Sequence, residues 1–276
     1  LTPQPVPFDT GPAPVLIAHL LGPFRLVADG AVVDTASSRR IRHMLAYLLT
    51  HRRAPVARDV LMDVFWPRAA PAAARNNLHV ALSGVRQVLR AAGPHIVVER
   101  RFDAYRIAGT GAVWTDVEQF ERVRDTGLRA DRRGDHETAR RRYETACQLY
   151  EGDFLADEPY LEWAAPIREA LRLTAVEIQT RLVDCYLERS EHAAAALLAR
   201  RILATDPCNE RVHRQLMHCY AAMDQRHLAL SQYHRLASQL WTALRVTPSP
   251  ETTALFHRLR QPPGPQPTWQ AGRVAS

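Results

Sequence analysis

No lysine occurs among the 276 residues; all 36 basic side chains are arginine, a bias that a GC-rich coding sequence explains without any functional demand. Cysteine is scarce. Cys147, Cys185, Cys208 and Cys219 show no C-x-x-C spacing and none of the density of a disulfide-stapled scaffold, so free thiols are expected. No apolar run approaches the roughly 18 residues that a membrane span needs. The start of the chain also lacks the charged and apolar blocks of a signal peptide, and the expected compartment is the cytoplasm. The 12 glycines form no G-x-x-x-x-G-K-[ST], G-x-G-x-x-G or G-x-S-x-G, and the 12 histidines no H-E-x-x-H. His213 and His218 lie five apart, so they do not share a helix face as ligands four apart would. Nothing here points to an enzyme, a cofactor or a metal site.

What is present is unevenly placed. Residues 1–112 hold 14 Arg against 7 Asp plus Glu, a net of 14 − 7 = +7, and residues 113–276 hold 22 of each. A basic head joined to a neutral partner is the charge signature of a nucleic-acid module carrying a second domain. The expected division is a Pro-rich linker over 1–14, a head over 15–112, a helical domain over 113–260 and a Pro-rich tail over 261–276. A first residue that is Leu rather than Met, followed by "TPQPVPFDTGPAP", leads to the expectation that the chain was cut from something longer.

Within the head, "VLIAHLLGPFRLVADGAVVD" mixes short apolar runs with Gly-Pro and Asp-Gly turn signals and predicts a small antiparallel sheet. Helical spacing follows Ser37 and Ser38, good N-cap residues, with Ile41, Leu45, Leu48 and Leu49 on one face. A second helix, "ARDVLMDVFWP", has Val60, Leu61, Val64 and Phe65 predicted inward and stops at Pro67. Phe65 and Trp66 are assigned to the core.

The third helix, "AAARNNLHVALSGVRQVLRAAG" over 72–93, carries no carboxylate. On a 100° wheel starting at Arg75, Leu78, Ala81, Leu82, Val85, Val88 and Leu89 cluster between roughly 220° and 340°. Arg75, Asn76, His79, Ser83, Arg86, Gln87 and Arg90 fill roughly 0° to 120°. An ordinary solvated face would mix Glu with Arg for i,i+4 pairs, and this one does not. Its amides, hydroxyl and imidazole suit base edges and phosphates. Past Gly93, "HIVVERRFDAYRIAG" predicts a β-hairpin. Strands, three helices and a closing hairpin are the order of a winged helix-turn-helix, whose third helix enters the major groove.

From Val117 to about Arg260 the pattern is almost wholly helical, so the fold class is mainly α after an α+β head. Leu182, Cys185, Tyr186, Ala195 and Arg201 recur as Leu216, Cys219, Tyr220, Ala229 and Arg235, each 34 residues on, the tetratricopeptide (TPR) period. Val117 to Tyr150, broken at "RRGD", reads as a diverged earlier repeat. Its Arg-Gly-Asp is expected to be an inter-helix turn.

The order "RIRHMLAYLLTHRRAPVARDVLMDVFWP", "NNLHVALSGVRQVL", "VVERRFDAYRI" resembles the OmpR-type winged helix of the SARP family of bacterial activators. "DVEQFERV", "EGDFLADEPYLEWAAPIREAL", "DPCNERVHRQLMHCYAAM" and "TPSPET" are similar to the bacterial transcriptional activator domain that follows it there. The resemblance spans about residues 15–260. It implies a DNA-binding activator that recognises direct repeats near a promoter and recruits RNA polymerase holoenzyme, with a homodimer on tandem sites and a regulatory domain elsewhere in a longer chain as further expected partners. Groove-facing positions would be Asn76, His79, Val80, Ser83, Gly84 and Gln87. Arg75, Arg86 and Arg90 would meet phosphate, as would Arg39, Arg40, Arg52 and Arg53, and Arg100 and Arg101 would be the wing's reach. The wing carries Ala104-Tyr105 where the family usually has Gly-Tyr. The competing reading is a TPR-type sensor or scaffold that binds a protein or small ligand beneath a vestigial head.

Overall fold

The computed structural model describes residues 16–33, 38–93, 96–109 and 113–261, which fall into two compact units, one ending at Ala175 and one beginning at Val176. The Pro-rich stretches 1–14 and 262–276 lie outside the described residues, as does Ser37.

The first unit opens with β1 (Leu16–His19), β2 (Arg25–Ala28) and β3 (Ala31–Val32), paired antiparallel as the turn signals predict. Ala28 and Ala31 pair across a two-residue turn in which Asp29 and Gly30 both have positive φ, 47° and 78°. That is the hairpin turn for which Asp-Gly is suited. A later strand, β7 (Val113–Thr115), joins the other edge parallel to β1, giving the order β3-β2-β1-β7. The sheet is therefore mixed rather than purely antiparallel.

Three helices follow: α1 (Arg39–Thr50), α2 (Arg58–Phe65) and α3 (Pro71–Ala92). Ser38 takes the N-cap position of α1 without a side-chain hydrogen bond. In α2 only Leu61 is fully buried, and Val60, predicted inward, is 44% exposed. With eight residues and one packed face, α2 turns its neighbour at 100° outward. Trp66 is buried, whereas Phe65 is half-buried and meets Tyr47 edge-on at 5.7 Å. α3 begins with Pro71 at N1 and ends at Gly93 with φ 144°, an asymmetry that suits both residues. It buries Leu78, Ala81, Leu82, Val85, Val88 and Leu89, the predicted apolar face, together with Ala74 and Ala92. At roughly 1.5–3 kcal/mol per buried Leu or Val, this face fixes the rotation of the helix. β4 (Val56–Ala57), β5 (Val97–Arg101) and β6 (Ala104–Ala108) complete a second sheet in the order β4-β6-β5, of which β5 and β6 form the wing.

α4 (Asp116–Arg132) and α5 (His136–Leu149) form an antiparallel hairpin through Arg133-Gly134-Asp135. Gly134 has φ 74° and Asp135 caps α5, accepting from the Thr138 N–H at 3.1 Å. The Arg-Gly-Asp sequence is an inter-helix turn. A loop and a 3-10 turn (Glu162–Ala164) lead into α6 (Ala165–Glu188), within which the division between units falls. The expected boundary at 112/113 falls inside the first compact unit, and bonds that cross it account for that. The Asp116 carboxylate accepts from the backbone N–H of Leu20 (2.7 and 2.9 Å to its two oxygens) and of Leu21 (2.8 Å). Gly22 N donates to Asp153 O at 3.0 Å, Leu155 N to Leu20 O and Ala156 N to Gly22 O at 2.9 Å, and Phe24 N to the Asp157 carboxylate at 3.1 Å. These bonds make β1, α4 and the 153–157 loop part of one compact body.

The second unit contains the end of α6, α7 (His192–Thr205), α8 (Glu210–Ala222), α9 (Arg226–Leu244) and α10 (Pro250–Arg260). The 34-residue period is carried into three dimensions. Leu182, Cys185 and Ala195 are buried with Leu216, Cys219 and Ala229 at the matching positions, and Arg201 and Arg235 are both exposed. The turns match as well: Ser190 and Asp224 have φ 59° and 58°, and the next residues, Glu191 and Gln225, donate to Tyr186 O and Tyr220 O at 2.8 Å each. The α4–α5 turn follows the same pattern, with Asp135 N donating to Ala130 O at 3.0 Å and Ala139 fully buried five residues after Gly134.

His213 is wholly buried in the second unit. Its Nε2–H donates to Pro207 O at 3.1 Å and its Nδ1 accepts from the Gln232 amide at 2.7 Å, which fixes a neutral tautomer. Burial lowers its pKa below the usual value, and the Arg235 charge adds to that. The folded state therefore binds fewer protons here than the unfolded state does, so the contribution of His213 is complete above the unfolded pKa and is lost as pH falls through the folded one. The unfolding free-energy gap between wild type and His213→Gln, followed by urea titration, should narrow between pH 7 and pH 5. An unchanged gap would mean that His213 is not held neutral.

Candidate nucleic-acid interface

The inward face of α3 presents its opposite side to solvent. Arg75, Asn76, His79, Val80, Ser83, Gln87 and Arg90 are all exposed, Val80 by 66%. Arg86 is half-buried, as its wheel angle beside Leu82 and Leu89 requires, and its carbonyl accepts from Arg90 Nε at 3.2 Å. Among the described residues no carboxylate pairs with Arg75, Arg86 or Arg90, and no acidic residue occurs from Val64 to Val98. Three unneutralised cations thus flank a strip of hydrogen-bonding groups and one exposed aliphatic side chain.

Gly84 is not part of that strip. A Cβ at this position would lie 2.3 Å from Ile41 Cδ1 and 2.8 Å from Ile41 Cγ1, so the Gly84 backbone faces the Ile41 side chain of α1. The groove-facing place expected for it is corrected accordingly: the space that a side chain would fill belongs to Ile41.

The remaining arginine candidates divide by their partners. Arg39 is mostly exposed and lies 3.5 Å from Glu158, and Arg40 extends over the Trp66 ring with its guanidinium carbon 5.5 Å from the centroid. Arg52 is half-buried against Glu118, and Arg53 reaches Glu118 at 3.8 Å and Glu121 at 3.4 Å. Both carboxylates belong to α4, so Arg52 and Arg53 are paired within their own chain, Arg53 while remaining mostly exposed. A phosphate contact there would have to displace or share those partners.

In the wing, Arg100 Nε donates to Phe102 O at 3.0 Å and Nη2 lies 3.4 Å from Asp103, while Arg101 Nε donates to Glu99 at 2.8 Å. Hydrogen bonds from Arg101 and Arg106 hold the Glu99 carboxyl below its usual pKa. The hairpin closes without a glycine. Ala104 pairs with Arg101 on one side and Ala57 on the other in ordinary strand conformation, and Tyr105 is buried beneath them. Two residues that sequence reasoning passed over sit at the same tip. Arg58 donates its backbone N–H to Asp103 O at 2.6 Å and its Nη1 to the Asp103 carboxylate at 3.1 Å. Phe102 projects into solvent. The signal available for it was an aromatic in a hairpin turn between two arginines and an aspartate.

A family model of the bacterial transcriptional activator domain matches residues 115–260, from the N-cap of α4 to the end of α10. The chain belongs to that family. Similarity extends beyond the matched domain into the winged helix. MoaR1, a transcriptional regulatory protein of Mycobacterium tuberculosis, is 29% identical over 249 residues, covering 89% of this chain and 79% of its own. The regulatory protein DnrI of Streptomyces peucetius is 27% identical over 259 residues, covering 89% and 93%. Among solved structures, Mycobacterium tuberculosis EmbR in complex with a low affinity phosphopeptide superposes with a TM-score of 0.78 at 26% identity. That match takes in 89% of this chain and 65% of EmbR's, so this activator-domain chain spans just under two thirds of the EmbR chain. These homologues are transcriptional regulators of the SARP family, and the resemblance drawn from the sequence holds at that level. Among the described residues, no helix of the chain is long and apolar enough to cross a membrane.

Proposed function

We propose that the chain is a transcriptional activator that binds promoter direct repeats in double-stranded DNA through α3 and the wing and recruits RNA polymerase holoenzyme. The observation that carries this reading is the outer face of α3, where Arg75, Arg86 and Arg90 have no carboxylate partner among the described residues and surround Asn76, His79, Val80, Ser83 and Gln87. In the major groove such a face divides its labour. Guanidinium groups at the rim neutralise phosphates, amides and hydroxyls address base edges, and an aliphatic side chain meets a thymine methyl. Arg39 and Arg40, exposed on α1, are further phosphate contacts in this reading. The helical domain serves oligomerisation on tandem sites and contact with polymerase.

Binding measured by fluorescence anisotropy on labelled promoter duplex should weaken with salt, log K falling against log[salt] by about 0.9 for each phosphate contacted. Arg86→Ala should reduce that slope by about 1 and lower affinity on every sequence alike, whereas Asn76→Ala or Gln87→Ala should alter sequence preference. Promoter duplex bound no better than random duplex at physiological salt would remove the sequence-specific reading.

A second reading, in which the chain senses a small ligand or peptide, is favoured by a cavity of about 490 Å³ in the first unit. Its walls include His51, Arg53, Glu118, Glu121 and Arg124 over an apolar floor of Val117, Ile167 and Leu171. The two readings are compatible, since a ligand placed there would touch both α1 and α4 and could bias the DNA-binding head.

A further inference from the structure

Phe102 is the most exposed large hydrophobic residue described, with 97% of its surface in solvent, and it holds a φ of +53°. That left-handed conformation is uncommon for any residue with a side chain and an outlier for a bulky one; glycine or asparagine would meet the demands of the turn better. The conformation is nevertheless fixed from several directions. Arg101 and Ala104 pair as the last rung of the hairpin, Arg100 Nε holds the Phe102 carbonyl, and Arg58 holds both the carbonyl and the carboxylate of Asp103. The fold thus over-determines the backbone at a position where the ring itself packs on nothing. Strain that packing does not explain is the pattern of a functional position.

The charges around the ring identify its counterpart. Arg58, Arg100, Arg101 and Arg106 lie about the tip against Asp59, Glu99 and Asp103, a local net of 4 − 3 = +1. All three carboxylates are occupied by these guanidinium groups, and Arg100 and Arg101 remain more than half exposed. An apolar projection inside a cationic collar matches a polyanion with stacked apolar faces within reach. We propose that Phe102 is an apolar wedge that enters the minor groove next to the major-groove site of α3 and partly unstacks one base step there. Side chains of this kind kink duplexes by opening a step to a hydrophobic group, at an energetic cost recovered from the contacts that the bend allows. The inference rests on the DNA-binding reading above and deepens it by assigning the wing a shape-reading role beyond phosphate contact.

The test uses the full chain and a duplex enriched from a random-sequence library by the wild-type protein, with 2-aminopurine placed in turn at each step flanking the protected site. Wild type should raise 2-aminopurine emission at one step on binding, and Phe102→Gly should not. Phe102→Gly should bind the duplex at least ~10-fold more weakly with an unchanged salt slope, since no cation is lost. Its thermal midpoint should be equal to or above that of wild type because glycine relieves the turn, and Phe102→Trp should restore both affinity and emission. Wild-type affinity in Phe102→Gly would overturn the proposal. So would a lowered thermal midpoint that tracks the lost affinity, or a weaker complex in which wild type had raised no emission at any step. A library from which wild type enriches no sequence would instead defeat the DNA-binding reading itself, which keeps the two failures apart.

Discussion

Asp116→Ala should destabilise the first unit by about 3–6 kcal/mol, because it removes the acceptor for three buried backbone N–H groups, each costing roughly 1–3 kcal/mol when left unpaired. The donors are Leu20, Leu21 and Val117, at 2.7 to 2.9 Å from the two carboxylate oxygens, and the side chain is 2% exposed. His19 lies beside it with Nδ1 3.9 Å away, and burial lowers the pKa of that imidazole. Urea unfolding followed by circular dichroism would measure the loss, and a change below about 1 kcal/mol would show that water satisfies the three donors. Asp116→Asn keeps one acceptor oxygen and should fall between. The acid also titrates unusually, since burial pushes its pKa up to about 7 against the pull of the Leu21, Leu20 and Val117 N–H groups. Between the unfolded pKa and about 7 the folded state holds a proton that the unfolded chain has released, so the contribution of Asp116 is complete in acid and declines as pH rises through that window. The wild-type advantage over Asp116→Asn should narrow from pH 4 to pH 7, the opposite direction to that expected for His213.

Asp116 also stands where bonds cross the boundary expected at 112/113. The charge contrast at residue 112 is a property of composition and was readable. The bonds that carry the first unit on to Ala175 join residues about a hundred positions apart, such as Leu20 with Asp116 and Phe24 with Asp157, and no local pattern announces them. Helix rotation, by contrast, is local. The apolar residues of α3 recur every three to four positions, so the wheel placed its buried face residue by residue. Gly84 escaped because a residue without a side chain contributes no polarity to the wheel. Its angle near 180° lies on the border between the two arcs, and only the Ile41 methyl 2.3 Å from its missing Cβ decides the matter. The repeat was legible between Leu182 and Arg235 at its 34-residue offset. The first hairpin carries the same turn, but Gly134 and Ser190 stand 190 − 134 = 56 positions apart, so the intervening 150–164 segment puts it out of register. For the wing, sequence reasoning weighted charge and singled out Arg100 and Arg101, whereas the exposed Phe102 ring drew notice only with its exposure and backbone angle.

Val80→Glu separates recognition from folding. Val80 is 66% exposed near the middle of the outer face of α3, so its replacement should change stability by no more than about 0.5 kcal/mol. A glutamate there would find no helical neighbour to neutralise it. Positions 76 and 84, four residues away on either side, are Asn76 and Gly84, positions 77 and 83 are Asn77 and Ser83, and Arg75 and Arg86 lie five and six residues off. Its charge would therefore be presented unscreened to the phosphates that line the groove. Like-charge juxtaposition of this kind costs several kcal/mol, equivalent to a loss of affinity of about 100-fold or more. Val80→Ala, which removes the two γ-methyl groups and no charge, should cost less than about 10-fold and only on sites with thymine beneath it. Anisotropy titrations of both variants against the same duplex, beside their urea midpoints, give the comparison. If Val80→Glu bound within threefold of wild type while remaining folded, α3 would not be the groove-reading helix. The cationic residues of the head would then have to serve a different surface.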